Sequence, residues 1–222
     1  MKKPASARGL FHATGKKSKP VQVRHDDGSY GKAAARERSE DDFDATPPEA
    51  IRSLIHHEGA RMRDFPAIWD PSAGDGALVR ELEAAGFTVI ASDMIDRGAG
   101  YEVRNFYEFT KAPSMASVQN PPFGECSWGN GKARWQKHLL ETLGLCYVAL
   151  LLPWQWPGAG GLGPFWTDHP PSRVYLMRWR LDFTGMGAQP ALHAWYIWDC
   201  EWSSETVLRM MDPVDIRQPD LF

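Results

Sequence analysis

Short apolar runs alternate with helix-forming segments along most of this 222-residue chain. Runs with the length and the β-branched or aromatic content of strands lie at residues 67–70, 87–92, 101–104, 115–119, 145–152, 174–177 and 191–199. Helical patterns lie at 46–58, 77–85 and 132–143. The order of strand, glycine-rich turn and helix predicts a doubly wound α/β domain. The nearly continuous apolar run 145–152 is typical of a central strand buried on both faces.

Acidic residues end the first two predicted strands. Asp70 ends the first, directly before the glycine-rich loop 71–76, and Asp93 ends the second. Glycines allow a ligand to approach the backbone closely. The loop lacks the GxGxxG pattern of dinucleotide sites, and a carboxylate at Asp70 would repel a phosphate. The pattern therefore favours a ligand that carries a cationic group and a ribose, because ribose hydroxyls can donate to Asp93.

The sequence Asn120-Pro121-Pro122-Phe123 follows the strand predicted at 115–119. Two consecutive prolines fix φ and remove two backbone donors, so the segment forms a stiff turn at the end of the strand. The Asn120 side chain offers an amide acceptor and two donors, and Phe123 offers a flat apolar face. These groups suit a planar acceptor that bears an amine, such as adenine.

These four residues resemble motif IV, (D/N/S)-PP-(Y/F), of the S-adenosylmethionine-dependent amino-methyltransferases. The sequence DPSAGDG at 70–76 resembles motif I of the same family, and Asp93 matches motif II. The start Thr46-Pro47-Pro48 resembles motif X, which precedes motif I in DNA amino-methyltransferases. The four matches occur in the family's order, and the resemblance covers roughly residues 46–123.

The resemblance implies a Rossmann-like class I methyltransferase sheet of about seven strands, the last antiparallel, with helices on both faces. It implies S-adenosyl-L-methionine as the cofactor and no metal. The residues that it assigns to cofactor binding are Thr46, Pro47, Asp70, Ser72, Ala73, Gly74, Gly76, Asp93, Asn105, Phe106 and Asn120. The residues that it assigns to the reaction are Asn120, Pro121, Pro122 and Phe123. The family usually has Asp where this chain has Asn105, which weakens the expected contact with the cofactor's adenine.

The implied reaction is methyl transfer to the N6 amine of adenine in DNA, as in small phage or prophage enzymes, which the Trp-rich sequence HAWYIWD at 193–199 resembles. Similar motifs also occur in methyltransferases of adenine in RNA and of glutamine side chains in proteins. A third alternative is a cofactor-binding remnant without activity. Too few residues follow Phe123 for a separate target-recognition domain, so loops or a partner must provide sequence selectivity.

Charge divides the chain unevenly. Residues 1–45 carry a net charge of +3, and their composition predicts a mostly disordered basic tail. Such a tail either contacts DNA phosphates or has no role. Residues 46–213 form the expected catalytic domain, and the chain beyond residue 45 carries −6. This domain is therefore not a nucleic-acid binder by bulk charge.

The C-terminal segment 214–222 ends in a peptide that resembles the bacterial sliding-clamp-binding motif QL(S/D)LF. The matching residues are Gln218, Asp220, Leu221 and Phe222, while Pro219 departs from the motif. The resemblance implies the replication sliding clamp as a partner; the alternative is a terminus docked on its own domain.

Three cysteines are too few and too scattered for a disulfide framework, and they indicate a reducing, cytoplasmic location. The sequence shows neither a secretory signal nor an apolar run long enough to span a membrane.

The sequence also predicts a helix cap, the setting of two arginines, and the roles of one histidine and two tryptophans. Thr46 and Glu49 are expected to form a capping box at a helix whose first residue is Pro47. Arg178 and Arg180 are expected on one face of an extended strand, where they contact phosphate or form ion pairs. His193 is interpreted as structural. Trp154 and Trp156 either pack beside the target base or are buried in the core, and we favour burial in the core.

Overall fold

The computed structural model describes residues 22–24, 30–32, 45–126, 133–183 and 191–214. The chain separates into two compact units, residues 1–41 and 42–222. In the first unit, β1 (Gln22–Arg24) pairs antiparallel with β2 (Tyr30–Lys32). Three earlier predictions lie wholly or largely outside the described residues: the disordered basic tail, the glycine-rich loop after Phe123 and the clamp-binding peptide.

The second unit alternates strands and helices as the sequence predicts. Its strands are β3 (Ile68–Asp70), β4 (Val89–Asp93), β5 (Glu102–Val103), β6 (Ala116–Gln119), β7 (Tyr147–Pro153), β8 (Arg173–Met177), β9 (His193–Asp199) and β10 (Val207–Met211). Its α-helices are α1 (Pro48–Met62), α2 (Ala77–Ala84), α3 (Phe123–Cys126), α4 (Arg134–Lys137) and α5 (Gly163–Asp168). Helix α4 continues as a π-helical turn over His138–Thr142. Single 3₁₀ turns lie at Phe106–Glu108, Trp156–Gly158 and Gly160–Leu162. Of the helices described, none is long and apolar enough to cross a membrane.

The strands of the second unit form one eight-stranded sheet with the order β10-β8-β9-β7-β6-β3-β4-β5. Only β9 runs against its neighbours, β7 and β8. The prediction of a sheet of about seven strands is confirmed, and β9, the last strand that the sequence predicted, is the antiparallel one. The edge strand β10 follows β9 and pairs parallel with β8.

The central strand β7 confirms the prediction of a strand buried on both faces. Tyr147, Ala149 and Leu151 point into one apolar cluster, which contains α1, α2 and the start of β3. Val148, Leu150 and Leu152 point into a second cluster on the opposite face, with Trp69, Trp135 and Tyr196. Alternate side chains of a strand face opposite sides, so a continuous apolar run is needed to fill both clusters.

The predicted capping box at α1 was wrong. The helix begins at Pro48, one residue later than predicted, and no side chain caps it. Pro47 has φ −60° and ψ 135°, because a residue that precedes a proline is kept out of the helical region. Thr46 is consequently outside the cap position, and the Ala50 N–H donates to the Pro47 carbonyl at 3.1 Å.

Arg178 and Arg180 are not part of a strand, because β8 ends at Met177. The Arg178 guanidinium binds the Asp212 carboxylate through two nitrogens, with 2.8 Å between Nε and Oδ1. Ion pairing, one of the two predicted roles, is therefore confirmed for Arg178.

A disulfide joins Cys146 and Cys200 across the ends of β7 and β9. The two residues are 54 positions apart in sequence, but the antiparallel register brings their Cα atoms to 4.7 Å. The sequence predicted no disulfide framework and gave no sign of this single bond. The third cysteine, Cys126, is buried and free.

Candidate cofactor and acceptor site at the carboxyl edge of the sheet

The loops that follow β3, β4 and β6 meet at one edge of the sheet, because these strands are parallel. The first residue of antiparallel β9, His193, reaches the same edge beside Pro153 at the end of β7. In open α/β sheets, ligands bind in the crevice at this carboxyl edge. Most of the residues predicted for the site are thus brought together.

Asp70 ends β3 and is almost completely buried. Its Oδ1 accepts hydrogen bonds from the Ser72 backbone N–H at 3.1 Å and the Ser72 hydroxyl at 3.3 Å. Burial raises the pKa of Asp70 to about 7, and the Asp93 charge acts in the same direction, while the Ser72 hydrogen bonds oppose the shift. The carboxyl is therefore a buried acid whose charged form a cationic ligand would stabilise.

The Asp93 carboxylate holds the glycine loop in place. Its Oδ2 accepts from the Gly74 N–H at 2.8 Å, and its Oδ1 accepts from the Ile95 N–H at 2.9 Å. The Ala73 N–H also donates to the Ser92 carbonyl at 3.1 Å. Each carboxylate oxygen has a second lone pair, so Asp93 can still accept a ligand hydroxyl while it fixes the loop.

Gly74 and Gly76 both have positive φ, 57° and 82°. Side chains of L-residues rarely adopt these angles, so the loop requires glycine at both positions. The loop leads directly into α2, whose first residue is Ala77. The Ala77 N–H donates to the Asp75 side chain at 3.0 Å.

Asn105 and Phe106 have local roles that the sequence did not reveal. The Asn105 side-chain oxygen accepts from the Tyr107 N–H at 2.9 Å and caps the 3₁₀ turn that follows. Phe106 is buried and stacks on Trp135, with 3.8 Å between ring centroids. Asn105 stays exposed at the edge of the sheet, whereas Phe106 lies in the aromatic core beneath it.

The segment Asn120–Phe123 lies directly beside the glycine loop. The Ser72 hydroxyl lies 3.4 Å from the Asn120 backbone carbonyl. Pro121 is buried, and Phe123 begins α3 half-buried. The motif I loop and the proline turn are therefore linked through one serine.

Thr46 and Pro47 are buried just before α1. The nearby Ala50 carbonyl accepts from the Trp195 indole of β9 at 3.0 Å. None of the hydrogen bonds found among the described residues connects Thr46 or Pro47 to the glycine loop. Their predicted role at the cofactor stays a prediction.

A buried polar chain that the sequence analysis did not find supports the proline turn from below. The Trp135 indole donates to Gln119 at 2.6 Å, the Gln119 amide to Ser117 at 2.6 Å, and the Ser117 hydroxyl to the Trp69 carbonyl at 2.7 Å. Gln119 precedes Asn120, so these bonds fix the strand end that presents the turn. The signal in the sequence is the pair of polar residues in the predicted strand, Ser117 and Gln119, both of which are fully buried.

Aromatic residues surround the turn. The ring centroids of Phe123 and His193 lie 6.1 Å apart. Burial lowers the pKa of His193 to about 4, so its imidazole is neutral at physiological pH. Trp156 is buried, and its indole donates to the Cys126 carbonyl at 2.7 Å, which confirms its interpretation as a core aromatic.

Comparison with solved structures identifies the fold. A candidate class I S-adenosylmethionine-dependent methyltransferase from Listeria monocytogenes superposes with a TM-score of 0.54 and 12% identity, over 84% of this chain and 71% of that chain. The chain has the class I methyltransferase fold. A candidate RNA methyltransferase from Pyrococcus horikoshii superposes with a TM-score of 0.54 and 14% identity, over 69% of this chain and 84% of that chain. No protein-family model and no curated protein sequence matches the chain.

The raised pKa of Asp70 leads to a pH-dependent prediction for this fold's cofactor, S-adenosylmethionine. An ionised Asp70 attracts the cofactor's cationic groups, so affinity should fall as the pH drops below about 7. Asp70→Asn removes the charge but keeps the oxygen that accepts from Ser72. We expect this variant to bind the cofactor about 10- to 100-fold more weakly at pH 8, since charge-assisted hydrogen bonds are worth about 1.5–3 kcal/mol. Calorimetric titration from pH 6 to pH 8 checks both statements.

Stability serves as the control for Asp70→Asn. The folded-state pKa is raised, so the wild-type free energy of unfolding declines as the pH rises from about 4 to about 7. Asp70→Asn should therefore be at least as stable as the wild type at pH 8. Wild-type cofactor affinity in this variant would refute the assigned role of Asp70.

Proposed function

We propose that this protein transfers the methyl group of S-adenosylmethionine to the N6 amine of adenine in DNA. The proposal combines the class I methyltransferase fold with the sequence resemblance to DNA adenine methyltransferases. The alternatives are the same chemistry on adenine in RNA or on a glutamine side-chain amide of a protein. All three acceptors present a planar amine-bearing group to Asn120–Phe123.

The residues present suit the cofactor. Gly74 and Gly76 keep the loop surface free of side chains, and Asp93 lies beside them with spare acceptor capacity for ribose hydroxyls. Asp70 provides a buried carboxyl whose pKa burial raises to about 7. When bound, S-adenosylmethionine supplies an electrophilic methyl group, and a phosphate-bearing ligand would be repelled by both carboxylates.

The proline turn suits the acceptor. The Asn120 side-chain oxygen and the Pro121 carbonyl would accept the two amine hydrogens, which turns the nitrogen lone pair out of the plane of the base. Phe123 would stack on the base, which must leave a duplex to reach this edge of the sheet. The amine nitrogen forms the new N–C bond as the S–C bond breaks, and one amine proton leaves to water. Catalysis by positioning of this kind can lower a barrier by about 7–11 kcal/mol.

The observation that carries the proposal is the 3.4 Å contact between the Ser72 hydroxyl and the Asn120 backbone carbonyl. The same hydroxyl lies 3.3 Å from Asp70 Oδ1, so its single hydrogen can be donated to the candidate cofactor carboxylate or to the candidate acceptor turn. This contact between residues that are 48 positions apart in sequence supports a shared site for cofactor and acceptor.

The deciding experiment offers tritiated S-adenosylmethionine together with adenine-containing duplex DNA, single-stranded DNA, total RNA or a release-factor preparation. We expect label in DNA, recovered as N6-methyladenine after nucleoside analysis. Label in RNA or protein with none in DNA would move the function to one of the alternatives. Label in no acceptor, with normal cofactor binding, would favour the inactive remnant.

A second proposal concerns the C-terminal peptide, which lies outside the described residues. We expect deletion of Leu221 and Phe222 to abolish binding to the bacterial sliding clamp, because these two apolar residues are suited to insert into a partner's pocket. Surface plasmon resonance with immobilised clamp measures the loss. Activity on short linear DNA should stay unchanged, and clamp binding that survives the deletion would rule out the motif.

A further inference from the structure

One tyrosine that the sequence did not single out lies against the glycine loop. Tyr101 precedes β5, in the connection that follows Asp93. A Cβ atom built on Gly76 would overlap the Tyr101 hydroxyl oxygen and would lie 3.0 Å from its Cζ atom. Gly76 therefore lacks a side chain for two reasons: its positive φ and the phenol that covers it.

Tyr101 also lines a cavity at the candidate cofactor site. The cavity lies between the glycine loop, the end of β4 and the start of β5, and it is bordered by Gly74, Asp93, Arg97, Tyr101 and Val103. Gly74 and Asp93 are the residues joined by the 2.8 Å hydrogen bond that fixes the loop. The phenol thus borders the same space as the groups assigned to the cofactor.

The Tyr101 hydroxyl can donate a hydrogen bond to a ligand. None of the hydrogen bonds found among the described residues involves this hydroxyl. Burial, together with the Glu83 charge, raises the pKa of Tyr101. It therefore stays protonated at physiological pH and can donate to a ligand. Three carboxylates, those of Glu83, Asp70 and Asp75, and one guanidinium, that of Arg80, lie near enough to act on it.

We propose that Tyr101 is a cofactor-binding residue: its ring borders the cofactor in the cavity that it shares with Gly74 and Asp93, and its hydroxyl donates a hydrogen bond to the cofactor. The inference rests on the proposed cofactor, S-adenosylmethionine. The ring lies directly against Gly76, so a cofactor that follows the glycine turn would meet the phenol at the border of this cavity. A purely structural Tyr101, which only packs the start of β5 against α2, would leave cofactor affinity unaffected.

The test measures binding of S-adenosylmethionine and S-adenosylhomocysteine to the full chain by calorimetry, without any acceptor. We expect Tyr101→Phe to weaken binding about 3- to 10-fold, which corresponds to one hydrogen bond of ordinary net strength. Tyr101→Ala should weaken it about 10- to 100-fold, because the ring contact is lost as well.

Tyr147→Phe is the matched control. It also removes one tyrosine hydroxyl, but this hydroxyl donates to Glu58 at the opposite edge of the sheet, at 3.2 Å. Its cofactor affinity should equal that of the wild type. Thermal unfolding without ligand should show that both Tyr101 variants are folded, since the Tyr101 side chain is only partly buried.

A double-mutant cycle tests the contact with Gly76. Gly76→Ala is strained by its positive φ in either background, but the overlap with the phenol exists only when Tyr101 is present. We therefore expect Gly76→Ala to weaken binding less in the Tyr101→Ala background than in the wild type.

The outcomes distinguish failure of the proposed cofactor from failure of the role proposed for Tyr101. If the wild type binds neither compound, the proposed cofactor and the role of Tyr101 fail together. If the wild type binds and both Tyr101 variants match it, only the role of Tyr101 fails. Tighter binding by Tyr101→Ala would show that the ring obstructs the site, which also overturns the inference.

Discussion

Asn120→Ala should reduce methyl transfer by at least about 10²–10³-fold while cofactor affinity stays within a factor of two of the wild type. The expected loss is that seen when one preorganised polar group is removed from a reaction centre. Cofactor affinity should survive because Ser72 contacts the backbone carbonyl of residue 120, which alanine retains. Single-turnover transfer from tritiated S-adenosylmethionine and calorimetric binding measure the two quantities separately.

Two comparison variants sharpen this prediction. Asn120→Asp keeps a side-chain acceptor of the kind that motif IV permits, and it should retain part of the activity. Asn105→Ala removes an asparagine at the same edge of the sheet that caps a 3₁₀ turn, so it should raise the cofactor KM more than it lowers kcat. Equal loss of cofactor binding and transfer in Asn120→Ala would contradict the role given to Asn120.

Glu58→Ala should lower the free energy of unfolding by about 3–5 kcal/mol, because it leaves the buried Arg173 with Asp199 as its remaining carboxylate partner and deprives two buried tyrosine hydroxyls of their acceptor. The Glu58 carboxylate is buried on α1 and accepts from Arg173 through two nitrogens, both at 2.8 Å. It also accepts from the Tyr175 hydroxyl at 2.5 Å and the Tyr147 hydroxyl at 3.2 Å. Urea denaturation followed by tryptophan fluorescence measures the change.

Glu81→Ala is the matched control for Glu58→Ala. Glu81 also binds an arginine through two oxygens, at 2.8 Å from Arg52, but this pair is partly exposed to solvent. Its loss should cost no more than about 1 kcal/mol. A similar decrease in the free energy of unfolding for the two variants would show that the buried cluster around Glu58 stabilises the fold no more than the partly exposed pair does. Cofactor affinity should be unchanged in folded Glu58→Ala, since Glu58 binds the first residue of β8, at the edge opposite the candidate site.

The elements that the sequence predicted well are those whose signal is local. The apolar run of β7 has to fill two core clusters, so its composition alone marks it as a central strand. Positive φ at Gly74 and Gly76 agrees with the glycine-rich turn between β3 and α2. The proline turn at Asn120 ends β6 where two missing backbone donors would end any strand.

Two features that the sequence did not predict, strand β10 and the disulfide, share a cause, since each depends on partners that are distant in sequence. Strand β10 is a short edge strand that pairs with β8, and Arg209 interrupts its five-residue apolar sequence. The Cys146–Cys200 bond depends on the register between β7 and β9. The start of α1 is the exception, because the effect of Pro48 on Pro47 is local and was overlooked.

The sequence by itself determined the alternation of strands and helices, the glycine turn and the proline turn, because backbone sterics and side-chain periodicity act over a few residues. Only the tertiary structure decided that Ser72 contacts the proline turn, that Asp70 is buried, and that Tyr101 covers Gly76. These relations arise from parallel strands that place distant loops at one edge of the sheet. Burial there changes the pKa of a carboxyl in a way that its neighbours in sequence do not encode.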